Sequence, residues 1–196
     1  EMLVNGMAKD AEERTSFAGT IKDEAARMIA LVEDIMMLSE MDEGKSPGAL
    51  EDVDMAAVAG EAVEALAQKA QANGISVEVS GKDIFFKSNR AMIYEMFHNL
   101  IDNAVKYNKP GGSVEVSVAD DGGHIVISVS DTGIGIPEEA RGSVFERFYR
   151  VDKSRSRKTG GTGLGLAIVK HIAMASGAKI ALESRLGEGT TVKVSF

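Results

Sequence analysis

Apolar residues near the start of the chain recur in alternating steps of four and three: Phe17, Ile21, Met28, Leu31, Ile35 and Leu38, with Glu24 the off-pattern member at that spacing. This narrow seam predicts one long helix over 12–41, of the sort that packs in a coiled coil or four-helix bundle. A helix that simply faces a core has a related pattern, and dimerisation is the favoured reading. Residues 1–7 read as the tail of a preceding helix and 8–11 as the connection. DEGKSPGA, residues 42–49, breaks the period with Gly, Pro and charge and reads as a linker.

From Leu50 the pattern becomes mixed. A short strand over 50–53 precedes a helix capped by Asp54 and running to about Ala72. Asn73-Gly74 turns into a strand over 75–79, and a second strand covers 84–87. Ser88 or Asn89 caps a helix reaching Tyr107. Alternating strands over 114–118 and 125–129 flank the turn DDGG and form a hairpin. A glycine-rich region leads into a helix over 164–175, followed by strands over 179–183 and 190–196. Helices mixed with antiparallel-leaning strands imply an α+β fold, a two-layer α/β sandwich preceded by a long helix. The division falls at 1–45 and 46–196.

Composition narrows the function classes. The 196 residues include no cysteine, which excludes a disulfide framework, a thiolate nucleophile and a cysteine zinc site. A formal net charge of −8 argues against a general nucleic-acid binder. No apolar run approaches the roughly 20 residues a membrane-spanning helix needs. The chain opens on Glu1 with helical sequence under way, as expected of a piece of a longer protein. Charge is unevenly spread: residues 1–43 are strongly acidic, whereas 145–161 carry Arg147, Arg150, Lys153, Arg155, Arg157 and Lys158 against Glu146 and Asp152. A basic stretch in an acidic protein points to an anionic ligand there, a solvated loop being the plainer alternative.

The glycine motifs exclude familiar nucleotide sites. There is no GxxxxGK[ST], so a P-loop is out. In GTGLGLAI the pair Gly163 and Gly165 is followed by Ile168 where a third glycine would stand, so the dinucleotide fingerprint and the protein-kinase glycine loop both fail. Three elements remain: EMFHNLIDNAVKYN on a helix, DTGIGIP just after a strand, and GGTGLGLAIVK entering a helix. Glu95, Asn99 and Asn103 are spaced by four and share a helix face, with Lys106 and Tyr107 a turn further on. Asparagine is a neutral oxygen ligand suited to a magnesium ion that keeps most of its waters. Asp131, at a strand end, can accept from an exocyclic amine, and Gly133 and Gly135 let a ring approach the backbone. The helix starting near Leu164 offers free N–H groups and a positive dipole end to a polyphosphate. Each element alone has an ordinary structural explanation; their combination in this order is far more specific.

The series EMFHNLIDNAVKYN, DTGIGIP, FERFYR, GGTGLGLAIVK and GEGTTVKV resembles the N, G1, F, G2 and last glycine boxes of bacterial sensor histidine kinases, in the GHKL (Bergerat-fold) ATPase superfamily. The likeness covers about 50–196, and RMIALVEDIMMLSEMDEG is similar to the second helix of that family's dimerisation and phosphotransfer hairpin. The resemblance implies ATP and Mg2+ as ligands. It places magnesium on Asn103, with Asn99 on the same face as a second candidate, Lys106 on the phosphates and Tyr107 against adenine. It gives Asp131 the adenine amine and sets Gly133, Gly135 and Ile136 around the base. Arg150 and Lys153 would approach the phosphates from a lid over 138–161. Gly161, Thr162, Gly163, Leu164 and Gly165 would form the far hinge and phosphate cradle, and Thr190 the floor.

The same resemblance implies a homodimer through the N-terminal helix, a response-regulator receiver domain as partner, and no nucleic acid. It also implies a cytoplasmic location, with any membrane anchor lying in upstream segments. Two departures stand out. The phosphoacceptor box, a His followed by Glu and later Thr-Pro, is absent: His98, His124 and His171 all lack those neighbours and read as structural. Asn89 stands where the family commonly has aspartate, and either caps a helix. A serine kinase of the anti-sigma-factor type, or a non-catalytic ATP-binding module, are the alternative functions.

Overall fold

The computed structural model describes residues 10–43, 49–151 and 161–196. The expected preceding helix tail at 1–7, most of the linker, and Lys153 lie outside the described residues. The chain divides into two compact units, Glu1–Met37 and Leu38–Phe196.

The first unit consists, where described, of helix α1 (Ala11–Asp42) up to Met37. Asp10 caps it by accepting from the Glu13 N–H at 2.8 Å, and Glu12 and Glu13 complement the dipole at its start. Ile21, Met28, Ile29, Val32, Ile35 and Met36 are exposed along this unit. The last turn of α1 belongs to the second unit, where Leu38 is buried.

In the second unit β1 (Glu51–Asp54) leads into α2 (Met55–Ala72), capped by the Asp54 carboxylate on the N–H groups of Ala56 and Ala57. β2 (Ser76–Gly81) and β3 (Phe85–Ser88) precede α3 (Arg90–Lys106), where Asn89 rather than Ser88 is the cap. β4 (Ser113–Asp121) and β5 (His124–Asp131) form the expected hairpin. After a 3-10 turn at Glu138–Ala140 come α4 (Gly165–Ala175), β6 (Lys179–Arg185) and β7 (Gly189–Ser195).

The main sheet has the order β2-β4-β5-β7-β6; β1 and β3 pair separately. All ladders are antiparallel except β2–β4, which is parallel in the register Val77↔Val114 and Val79↔Val116. The strand patterns give no hint of that parallel pair. It becomes possible because β3 and α3 supply the crossover that a hairpin turn cannot.

One sheet face is apolar: Val116, Val129 and Val192 stand opposite one another, as do Val118, Ile127 and Val194, and all six are buried. The helices cover this face with Met55, Ala59 and Ala62 of α2, Ile93, Met96, Phe97 and Ile101 of α3, and Ile168 and Ile172 of α4. The other face is polar, with Ser130 and Thr191 hydroxyls 2.8 Å apart and Lys193 paired with Glu183. This is the two-layer α/β sandwich, with one apolar face per layer.

Candidate functional site

The C-terminal half of α3 carries Asn99, Asn103 and Lys106, and Tyr107 is its cap residue. Asn99 donates from Nδ2 to the Glu95 carbonyl at 2.9 Å and to the Glu95 carboxylate at 3.4 Å, which fixes the amide and turns Oδ1 the other way. The entry of α4 lies against this face. A Cβ at residue 165 would come 2.7 Å from Asn99 Oδ1 and 3.4 Å from Asn103 Nδ2, so any larger residue than Gly165 would displace the Asn99 amide. Gly161 is in the same position with respect to Lys106 Nζ and the Tyr107 hydroxyl. Lys106 Nζ sits 5.4 Å from the centroid of the Tyr107 ring, a cation–π arrangement.

No side chain caps α4 at Leu164; Thr162 Oγ1 accepts from the Leu164 N–H at 3.2 Å. The first turn of α4 therefore presents N–H groups and the positive end of its dipole beside two asparagine amides. Gly163 takes φ +77° and lies so close to Phe148 that a Cβ would come within 3.0 Å of its Cα. The Phe148 N–H donates to the Gly163 carbonyl at 2.9 Å. Phe148 is the one non-glycine with positive φ among the described residues, and its side chain is 58 % exposed. Its backbone joins it to the glycine segment. Arg150 follows closely, with Nε and Nη2 buried and without a hydrogen-bond partner among the described residues. Those two nitrogens lack the acceptor an anion would provide.

At the end of β5, Asp131 Oδ1 accepts from the Gly133 N–H at 2.8 Å, and Thr190 lies opposite in the β5–β7 ladder. Burial raises the Asp131 carboxyl above its ordinary value, opposed by the Gly133 and Thr190 N–H groups and by the charge of Lys109. The following loop is clamped on both sides. Ile134 N–H donates to the Tyr107 carbonyl at 3.0 Å, and Gly187 N–H donates to the Ile134 carbonyl at 2.7 Å. Gly135, at φ +66°, sits where a Cβ would run into the Arg185 carbonyl. Ile136 N–H donates to Ser184 Oγ at 2.8 Å, and that hydroxyl also reaches the Gly189 carbonyl and Thr190 Oγ1.

Tyr107 thus links the two ends of the site: its carbonyl holds the loop after Asp131 and its hydroxyl lies beside Gly161. Sequence reading missed Ser184 and Lys109. Ser184 carried no local signal, being one polar residue in an ordinary strand. Lys109 had a weak one, since it closes the run KYNK just after the asparagine helix.

The donor set fits magnesium with a polyphosphate better than a metal held by protein alone. Among the described residues no three His, Cys, Asp or Glu side chains are grouped to hold a metal. Neutral asparagine oxygens suit a hard, strongly hydrated cation that takes its other ligands from waters and phosphate oxygens.

Residues 88–196 match the family of histidine kinase-, DNA gyrase B- and HSP90-like ATPases. The sensor protein kinase WalK of Staphylococcus saprophyticus is 36% identical over 198 residues, covering 100% of this chain and 32% of that protein. The mycobacterial sensor histidine kinase MprB superimposes with a TM-score of 0.66 at 30% identity, over 76% of this chain and 97% of the solved one. Full-length ShkA in complex with AMPPNP gives 0.78 at 27% identity, over 95% of this chain and 39% of that one. The chain belongs to the histidine kinase-, DNA gyrase B- and HSP90-like ATPase family, on its sensor histidine kinase side. It spans about a third of the length of its WalK relative.

Proposed function

We propose that the chain is the kinase core of a two-component sensor histidine kinase, binding Mg-ATP between α3, the loop after β5 and the entry of α4. The observation that carries this reading is the close approach of the α4 N-terminus at Gly165 to Asn99 and Asn103, with no side chain capping that helix. ShkA, with its bound AMPPNP, has the same fold over nearly all of this chain.

In this reading the Asp131 carboxylate accepts from the adenine amine and Gly133, Gly135 and Ile136 border the base, with Tyr107 against the ring. Lys106, Arg150, Lys153 and the backbone from Gly161 through Thr162, Gly163 and Leu164 to Gly165 receive the phosphates. Thr190, bonded to Ser184, supports the floor. Asn103, with Asn99 beside it, would hold magnesium, which neutralises phosphate charge during phosphoryl transfer. These residues orient the γ-phosphoryl group toward a histidine imidazole. None of His98, His124 or His171 has the Glu and Thr-Pro neighbours of a phosphoacceptor box, so that acceptor lies on another segment in this reading. The phosphoryl group then passes to an aspartate of a response-regulator receiver domain.

Residues 1–45 are the remnant of the dimerisation and phosphotransfer hairpin in this reading, with α1 as its second helix, and 46–196 the ATP-binding domain. The exposed run Ile21, Met28, Val32 and Ile35 supports a homodimer through α1. Among the described residues no helix is long and apolar enough to cross a membrane, and any anchor belongs to the parent protein outside this chain.

Titration calorimetry with Mg-ATP, Mg-GTP and adenosine tests the binding half. Tight, magnesium-dependent, adenine-selective binding is expected; no binding, or equal binding of GTP, overturns it. Supplying a separate hairpin bearing a His-Glu…Thr-Pro box tests the transfer half, through acid-labile, base-stable label on the hairpin.

A further inference from the structure

A cluster of charged side chains lies outside the nucleotide site. Arg147 Nη2 donates to both Asp42 carboxylate oxygens at 2.7 Å, across 105 residues of sequence. The same nitrogen is 2.9 Å from His171 Nε2, and that ring nitrogen is 3.2 Å from Asp42 Oδ1. His171 is itself fixed: Nδ1 lies 2.9 Å from the Ala167 carbonyl, which can only accept, so Nδ1 carries a proton. His171 Nε2 lies within hydrogen-bond distance of both Arg147 and Asp42. The Arg147 guanidinium holds the Asp42 carboxyl below its ordinary range, as befits a carboxylate bound in place.

All three residues belong to the Leu38–Phe196 unit, yet they come from its three regions that matter for coupling. Asp42 ends α1, next to the buried anchor Leu38. Arg147 immediately precedes Phe148, whose N–H holds Gly163. His171 stands on α4 and is hooked to Ala167, two residues beyond the Gly165 that touches Asn99. One carboxylate therefore ties the end of α1 to both segments that shape the glycine cradle.

We propose that Asp42, Arg147 and His171 form a clasp that couples the last turn of α1 to nucleotide affinity. Made, the clasp holds Arg147–Phe148 and Gly163–Ala167 in the arrangement that receives phosphates. By linkage, bound ATP tightens the end of α1 to the same degree. The coupling is modest, because Arg147 and Asp42 side chains are 39% and 46% exposed and an exposed ion pair changes an equilibrium by no more than about fivefold. A small, reversible coupling suits a signal that arrives as a shift of a helix end.

The proposal rests on the ATP-binding reading, and the test separates the two. Mg-ATP affinity is measured by calorimetry for the intact chain, Asp42→Asn, Arg147→Gln and the double variant, positions outside the set assigned above to the nucleotide. Each single change is expected to weaken ATP by about threefold, with the double variant no weaker than either single. Amide exchange at residues 38–42 is expected to slow on saturation with ATP in the intact chain and not in Arg147→Gln. Singles that bind like the intact chain, losses that multiply in the double, or exchange at 38–42 indifferent to ATP overturn the clasp and leave the ATP site standing. An intact chain that does not bind Mg-ATP overturns the site reading, and the coupling with it. Circular dichroism checks folding; should Asp42→Asn fail to fold, Arg147→Gln breaks the same pair from the other side and decides by affinity and exchange together.

Discussion

Asp131 and Thr190 stand opposite one another at the last rung of the β5–β7 ladder, and the Thr190 N–H is one of the donors that moderate the buried Asp131 carboxylate. The carboxyl is nevertheless raised, so burial outweighs its hydrogen bonds. In the proposed base pocket such a carboxylate would receive the amine of the ligand.

Asp131→Asn is expected to weaken ATP by about 1.5–3 kcal/mol, the worth of a hydrogen bond to a charged group, while raising the thermal midpoint at neutral pH. The sign follows from linkage. An acid whose folded pKa lies above its unfolded value of 3.8 favours folding when protonated, so its stabilisation fades as pH rises through the interval between the two values. Above that interval the ionised carboxylate is a standing cost, which asparagine removes. ATP affinity moves oppositely, falling as acidification protonates Asp131 sooner than an ordinary aspartate. Calorimetry across pH with paired melting curves checks both; unchanged ATP affinity in the variant would remove Asp131 from the base pocket.

Two glycine-to-alanine changes should separate fold from function. At Gly165 the new methyl meets the Asn99 side chain, and alanine gains up to about 1 kcal/mol as a helix former. The variant should be folded at least as firmly yet bind Mg-ATP about tenfold more weakly or worse, since Asn99 must move. At Gly135 the methyl meets the Arg185 carbonyl in a backbone conformation with φ +66°. That change should cost about 2–4 kcal/mol of stability, from strain and backbone displacement together. Denaturant melts and nucleotide titrations of both variants decide; a Gly135→Ala protein as stable as the parent would contradict the geometry.

Ser184→Ala should cost about 1–3 kcal/mol, because the Ile136 N–H loses its acceptor in a largely buried setting. The effect should concentrate in the loop after Asp131, so amide exchange should quicken at Ile136 more than in the body of α3. Uniform quickening would mean that Ser184 serves the sheet alone.

Lys106→Met should weaken ATP far more than adenosine, because Lys106 stands beside Gly161 at the phosphate end. It should also flatten the dependence of ATP affinity on added salt, since a cation that no longer meets the phosphates cannot be screened from them. Equal losses for ATP and adenosine would place Lys106 at the base instead.

Much of this was legible in the chain. The 3.6-residue period and the caps Asp54 and Asn89 act within a few residues, so α2 and α3 could be read directly. The same holds for the alternation of β4 and β5, and for the order of the glycine and asparagine motifs. Tertiary structure alone decided which distant segments meet. It made β2 and β4 parallel, set Ser184 under Ile136, brought Gly165 onto Asn99 and joined Asp42 to Arg147. Those pairings follow from covering one apolar sheet face with three helices at once. Such a requirement is spread over the whole chain and leaves no mark on any single stretch of it.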